Sequence, residues 1–451
     1  MTQDFAKAYP RKRFFVEMFT RDISADDCIL DLIDNSIDAL IRQQKIDLDK
    51  TLGPGGPPPR RRARITVRVS ASEVMVEDDC GGIGLHKAKE EIFNFGHSNK
   101  GLSELTSRGI GAYGIGLKRA IFKLGRHFKV ESTHNGISFV VEQNLEEWVD
   151  RDERLEDWRF PIKSKSVKGL DVELGGTRVI ISKLHPEIRD VIEDPGFADH
   201  LRSQIAKTYG PFLSRFADVS FNSEVVEPDQ IPLGHNAQTG LQKEEYKEDG
   251  VSVRIVAGPA APGARDVWEM EKAGWYVVCN GRVVVFADRT ELTGWGAGIL
   301  PQFHSSKGRG FVGVVTFVST DPLKLPWTTT KRGLNRESPL FLHARGRMQH
   351  VGSIVYKGLE SLYPSATESE QNAKTVIRRT TQANLAEVMG GGKSSFRLRR
   401  SKSELADATI QYRVPRAQLD AVKKHIGNRL LTNAEVGMHT FLFFIEQEGI
   451  A

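Results

Sequence analysis

Residues 29–40 read ILDLIDNSIDAL, and the spacing of their apolar and polar positions decides how the chain is read. On a helix turning about 100° per residue, Leu30, Ile33, Ile37, Leu40 and Ile41 fall on one face. Asp31, Asn35 and Asp38 share the roughly opposite face, which carries no lysine. An ordinary surface helix scatters Lys and Glu over that side. An Asn amide oxygen is a neutral hard ligand, suited to magnesium that already carries phosphates. A carboxylate one turn before it is placed to orient or deprotonate a water. Taken alone, the same stripe also describes a helix face that is simply solvated.

Two later segments move the reading. Residues 74–84, VMVEDDCGGIG, begin as a short apolar strand and end in acids and a Gly-rich turn. Asp78 stands where the strand gives way. A buried carboxylate there needs a donor, and the exocyclic amine of adenine is one. Gly81, Gly82 and Gly84 let the backbone approach a flat ring. A tight turn with a capping Asp is the plainer reading of this segment by itself. In residues 95–125, Gly109, Gly111, Gly114 and Gly116 lead into a helix marked by Leu117, Ala120, Ile121 and Leu124. A Gly-rich loop that opens a helix offers free N–H groups and a positive helix end to an anion. Lys118 and Arg119 lie in the first turn, where the dipole alone prefers acids, and a bound polyphosphate would explain them. The loop is not of the Walker type, since no Gly-Lys-Ser/Thr ends it. It is not a dinucleotide fingerprint either, because no clear parallel-sheet unit precedes it.

In this order and spacing the three segments resemble the GHKL ATPase superfamily of DNA gyrase B, heat-shock-protein-90-type chaperones, histidine kinases and MutL. The wording is closest to the microrchidia-type branch. The resemblance is strong over about residues 14–184 and weaker to about 362. It implies an α/β (α+β) two-layer sandwich with a Bergerat-type ATP-binding fold. It implies ATP and magnesium as cofactors, with Asn35 as the metal ligand and Asp31 as the general base. Asp78 and Gly82 match the adenine motif. Gly111, Gly114 and Gly116 match the phosphate side of the mobile lid. Thr177 in GGTRVIISKL matches the Thr that helps hold an adenine-bound water. Ile83, Ser98, Lys100 and Lys118 complete the expected nucleotide-binding set. Two departures stand out. Hydrolytic relatives mostly use Glu where this chain has Asp31. The acid is one methylene shorter, and a misplacement of about 1 Å can cost about a hundredfold in rate. Turnover is therefore expected to be slow, with an ATP-binding switch of little turnover as the alternative. Cys80 replaces a turn Gly and reads as a small buried residue rather than a nucleophile.

The 451 residues exceed one core, so two or three domains are expected. Hydrophobic content of 39% and charged content of 27% suit a soluble globular chain. No apolar run reaches membrane-span length, and the opening MTQDFAKAYPRKRFF lacks the apolar core of a signal peptide. Cys28, Cys80 and Cys279 are too scattered for a disulfide framework or metal site, so a cytoplasmic location is expected. A net charge of +5 permits an acidic partner without demanding one.

Residues 1–186 read as the ATP-binding domain. The insertion over 47–64 is rich in Gly and Pro and leaves through Arg60, Arg61, Arg62 and Arg64. It reads equally as a solvated loop or as a contact for nucleic acid or an acidic protein. A hairpin is expected over 64–77, with further strands at 128–132, 137–143 and 177–182. Residues 187–362 read as a transducer-like α/β domain: a mostly helical 190–216, strands at 217–226, 251–257, 274–285 and 310–320, and a helix over 339–363. Asn280-Gly281 supplies a hairpin turn. In the resembling transducer domains a loop Lys reaches the γ-phosphate, and Lys331 in LPWTTTKRGLN matches it best. Lys324 and Arg332 are its alternates. Residues 363–405 read as a basic flexible linker, with a helix possible over 373–389. Residues 406–451 read as a small C-terminal module with a strand IQYRV, a helix over 416–429 and an apolar run over 440–446. The resemblance implies a homodimer formed on ATP binding, acting on DNA or a client protein. A histidine kinase is disfavoured, because no helical hairpin with an acceptor His precedes Asp31. A topoisomerase is disfavoured, because no catalytic Tyr domain follows.

Overall fold

The computed structural model describes residues 11–51, 59, 61–95, 109–111, 114–151, 158–164, 167, 169–235, 239–263, 267–304, 308–360, 380–383, 385–389, 394–397, 410–428 and 430–450. Helix α1 (Lys12–Thr20) leads into α2 (Ala25–Gln44), which contains the opening stretch. Ser24 caps α2 by accepting the Asp27 N–H, and Asp26 and Asp27 complement the positive helix end. The helix stops at Lys45, which adopts a left-handed φ of 54°. Leu30, Ile33, Ile37, Leu40 and Ile41 are buried as the periodicity requires. The opposite face is not a solvated one. Asp31, Asp34 and Asp38 are buried, and only Asn35 among the central residues is exposed.

Eight strands form the first sheet: β1 (Ala63–Val69), β2 (Glu73–Asp78), β3 (Gly125–His134), β4 (Ile137–Asn144), β5 (Ile162–Ser164), β6 (Gly176–Leu184), β7 (Ala217–Phe221) and β8 (Glu224–Val225). Their spatial order is β5-β4-β3-β6-β2-β1-β7-β8. Helix α3 (Gly116–Leu124) packs against α2, and the two helices meet the sheet at β3 and β2. This mixed α/β layering agrees with the sandwich expected from the sequence. Register places Asp78 opposite Thr177, and Thr177 opposite Ser132, so three polar side chains line up across the sheet. Residues 217–221 were grouped from sequence with the second domain. In the structure they pair in parallel with β1, from Ala63↔Ala217 to Val67↔Phe221. The Ala63 N–H also bonds the Phe216 carbonyl, which fixes the crossover.

Beyond this sheet, β9 (Gly234–His235) precedes a five-stranded sheet of β10 (Gln242–Glu248), β11 (Val251–Pro259), β12 (Gly274–Cys279), β13 (Arg282–Asp288) and β14 (Phe311–Ser319). Its order is β10-β11-β14-β12-β13. A long helix, Pro339–Glu360, packs on β10, β11 and β14. Ionic contacts tie this half to the first: Arg254 to Asp49 at 2.6 Å, and Arg332 to Asp26 at 3.6 Å. In the stretch read as a linker, β15 (Thr381–Gln382) pairs with β9, and the Phe396 ring packs against Gly358.

Residues 1–399 form one compact unit and 400–451 a second. The described part of the second is two helices, Arg416–Ile426 and Asn433–Glu448; a capping box of Thr432 and Glu435 starts the latter. Residues 410–414 do not form the expected strand, because no described segment pairs with them. The apolar run over 440–446 is helical, with Phe441, Phe443 and Phe444 exposed. Among the described residues no helix is long and apolar enough to cross a membrane.

Candidate functional site

One cavity gathers residues from all three motif segments. Its wall includes Leu32, Asn35, Ser36 and Asp38 of α2, and Val76, Asp78, Gly82 and Ile83 of β2 and its turn. Gly111, Gly114 and Lys118 come from the glycine loop and α3, and Thr177 and Val179 from β6. Asp78 Oδ1 accepts the Cys80 N–H at 2.9 Å, and Oδ2 accepts the Ser36 hydroxyl at 2.8 Å. Burial pushes the Asp78 carboxyl up to about 6, against the pull of these hydrogen bonds. Ser132 Oγ donates to the Gly176 carbonyl, accepts the Ile83 N–H at 2.7 Å and lies 3.2 Å from Thr177 Oγ1. Gly82 has φ +67°, and a β-carbon there would lie 1.9 Å from the Thr133 carbonyl oxygen. Only glycine lets the turn pass so close to β3. Cys80 is buried, with its thiol pushed far up by burial, which fits an inert packing residue.

Arginines of the insertion brace this turn from outside. Arg61 Nη1 lies 2.9 Å from Asp79 Oδ2, and Arg64 contributes its N–H at 2.8 Å and its Nε at 3.1 Å to the same carboxylate. Arg62 pairs with Asp218 and donates to the Leu213 and Ala217 carbonyls. Three of the four arginines read as a contact surface therefore have intramolecular partners. Arg60 lies outside the described residues, as do Ser98 and Lys100.

Also on the cavity wall, Asp38 accepts the N–H groups of Ile110 and of Gly111, the latter at 2.6 Å. Burial holds its carboxyl above the ordinary range. A β-carbon on Gly109 or Gly111 would lie 2.4 Å from an Asp38 oxygen, so the carboxylate and the loop touch because both positions lack side chains. Lys118 is buried and donates to the Ile92 carbonyl at 2.9 Å and to the Gly114 carbonyl. Burial pushes its ammonium down to about 8. Asp31 and Lys331 are not among the residues that line the cavity. A β-carbon on Gly116 would come within 3.2 Å of the Asp31 carboxyl carbon. Burial pushes Asp31 up to about 6; Lys331 opposes the shift and Asp34 adds to it.

Asp34 and Ser36, neither singled out from sequence, organise the helix around Asn35. Asp34 Oδ1 accepts the Tyr209 hydroxyl at 2.6 Å and Arg282 Nε at 3.0 Å, and Oδ2 accepts Lys331 Nζ at 2.7 Å. Burial works against the Asp34 charge, but Arg282 and Lys331 outweigh it and hold the carboxyl below its usual range. Lys331 is itself buried, with φ +56°, and the Asp34 and Asp31 charges hold its ammonium above the ordinary range against burial. A fold that spans two sheets thus brings Lys331 to the residue beside Asn35. The available signal for Asp34 was its place at the edge of the apolar stripe, where a charge needs a partner.

A family model described as histidine kinase-, DNA gyrase B-, and HSP90-like ATPase matches residues 23–171. This range spans α2, the Asp78 turn, the glycine loop and β3–β4. The match is to the superfamily's domain, not to the microrchidia branch within it. A search of curated proteins returned no match. Residues 23–171 therefore carry a GHKL-type ATPase domain, a kind of domain that binds ATP.

Proposed function

We propose that the chain binds ATP with magnesium in this cavity and hydrolyses it slowly. The observation that carries the reading is the cavity, whose wall brings together Asp78, Thr177, Asn35, Gly111 and Gly114. Leu32, Val76 and Val179 supply apolar surface for the face of a purine. The Asp78 carboxylate accepts from the Cys80 N–H, the Ser36 hydroxyl and the Thr177 backbone, and its two oxygens have about four acceptor sites, which leaves room for the adenine amine. Asn35 offers a neutral oxygen that suits magnesium taking its other ligands from phosphate and water. When bound, magnesium would offset phosphate charge. Asp31 is the base of this reading. A carboxyl pushed up to about 6 remains charged at neutral pH and is basic enough to accept a proton from water. Lys331 is the cation that distinguishes ATP from ADP. Ile83 and Lys118, with Ser98 and Lys100, complete the nucleotide contacts.

A second reading is a nucleotide-binding switch with little turnover. It is favoured by the absence of Asp31 from the cavity lining and by its shorter side chain. In either reading ATP drives lid closure and pairing of two chains, which act on DNA or a client protein. The net charge of +5 is compatible with an acidic partner. The layout of an ATP-binding domain (1–186), transducer-like domain (187–362), connecting segment (363–405) and C-terminal module (406–451) belongs to the same proposal. A cytoplasmic location rests on three free, buried thiols at Cys28, Cys80 and Cys279.

The test is calorimetric titration of ATP with and without magnesium, paired with phosphate release. The parent should bind. Asp78→Asn should lose binding, because an amide presents a donor where the carboxylate accepts. A parent that takes up no ATP would remove the reading, and an Asp78→Asn variant of unchanged affinity would remove the adenine role.

A further inference from the structure

The β12–β13 hairpin turns at Asn280-Gly281, with positive φ of 47° and 84° at the two residues. That is the backbone an Asn-Gly turn favours. Such a turn is ordinarily solvent-exposed, yet Asn280 is completely buried. Its side chain is fully used. Oδ1 accepts the Ser319 N–H at 2.9 Å; Nδ2 donates to the Ser319 carbonyl at 3.0 Å and to the Gly109 carbonyl at 2.7 Å. Two of these bonds fasten the turn to the end of β14. The third leaves the second sheet and reaches the glycine loop.

Gly109–Gly111 is thus held from two sides. Its carbonyl end is bonded to Asn280, and its next two N–H groups are bonded to Asp38 of α2. The same hairpin sends Arg282 to Asp34. One hairpin tip therefore touches both the glycine loop and α2, which contribute Gly111 and Asn35 to the cavity wall.

We propose that Asn280 is a positioning residue for the nucleotide: through the Gly109 carbonyl it fixes the glycine loop relative to Asn35 and ties phosphate binding to the second sheet. The inference rests on the reading of the cavity as an ATP site. Asn280 touches no ligand in this account. It acts through the loop, so its loss weakens contacts to phosphates and leaves contacts to the base alone.

The variant is Asn280→Gly, which keeps the left-handed turn and removes all three side-chain bonds. In nucleotide-free protein, hydrogen exchange at the Ile110 and Gly111 amides should speed up about tenfold, the effect of one lost hydrogen bond. A residue that merely held the hairpin to β14 would speed exchange at Ser319 and leave Ile110 and Gly111 unchanged, which would overturn the proposal. For the full chain, affinity for a non-hydrolysable ATP analogue should fall about tenfold, with adenosine affinity unchanged. Equal loss for both ligands, or none for either, would overturn it. If Asn280→Gly does not fold, the parent still decides. Binding of the ATP analogue should protect the Asn280 and Ser319 amides of the second sheet, and unchanged exchange there would overturn the coupling. A parent that binds no nucleotide defeats the reading of the cavity, whereas the exchange result at Ile110 and Gly111 stands apart from it.

Discussion

Asp78 and Asp31 are both buried carboxylates raised to about 6, and the direction of each shift sets a pH dependence. The adenine amine donates, so it binds the charged form of Asp78. Below about pH 6 the carboxyl takes a proton and loses that acceptor; above it, affinity levels off. Adenosine, which carries no titrating phosphate, should therefore bind about tenfold more weakly for each unit below the bend, measured by titration between pH 5 and 8. A flat profile would mean that Asp78 does not meet the base. Asp31 gives a second limb. As the base it works only when charged, so turnover should rise with pH through about 6 and then hold. Asp31→Ala should retain nucleotide and lose hydrolysis, and a variant as fast as the parent would remove the role. Asp31→Glu tests reach: a gain in rate shows that the shorter acid limits turnover. Asn35 and Asp78 were singled out from short segments whose spacing suits the chemistry, Gly82 and Thr177 from the family resemblance, and the fold brings all four to one cavity wall. Asp34 was not singled out. Its partners Tyr209, Arg282 and Lys331 lie 175, 248 and 297 residues away, so local pattern shows only an acid at the edge of an apolar stripe. Asn280 was legible as a turn former, but its burial against Gly109 depends on how two sheets meet.

Among the elements, α2 was the most legible, because a cap, an apolar stripe and a polar stripe coincide in one segment. The strands β1 to β4 and β6 were legible from apolar runs between turn residues. β10, reading QKEEYKE, was not. It is a sheet-edge strand, where charged side chains are expected and apolar alternation fades. IQYRV shows the opposite failure: strand-like residues form no strand without a neighbour to pair with. The position of β7 beside β1 is a parallel pairing across a long crossover, which no local signal encodes. The long-range junction at Asp34 also makes α2 depend on the second sheet for its stability. Asp34→Ala would leave Arg282 and Lys331 buried without their shared counter-charge. Breaking a buried ion pair costs about 3–5 kcal/mol. Urea denaturation should show a loss of that size, and Asp34→Asn, which keeps the shape and an acceptor, should lose less. Equal stability in parent and Asp34→Ala would mean that the cluster contributes no net stability.

At the scale of the whole molecule, the proposed nucleotide site on the first sheet would be felt by the second through the residues that join them. Lys331 is suited to that coupling because its ammonium lies 2.7 Å from Asp34, the residue before the proposed magnesium ligand. Lys331 does not line the cavity, so in the proposed function it would add to binding only by reaching a third phosphate from its place beside Asp34. A group that contacts one state more than another biases the equilibrium by that difference and no more. A charge-assisted hydrogen bond contributes about 1.5–3 kcal/mol, enough to shift closure by about tenfold or more. Lys331→Ala should therefore reduce turnover and weaken ATP binding while leaving ADP affinity close to that of the parent. Arg282 and Tyr209 still answer Asp34 in this variant, so the fold should survive the change. If ATP closes the site and joins two chains, the parent should also double its mass in solution with a non-hydrolysable analogue, and Lys331→Ala should need more analogue to do so. A parent that stays monomeric with analogue bound would end the dimer proposal, and the ATP-to-ADP comparison would still test Lys331. Equal losses for ATP and ADP would assign Lys331 to the junction at Asp34 alone. No loss for either would move the γ-phosphate role to another cation, with Arg332, already paired with Asp26 and Asp27 at the start of α2, the next to test.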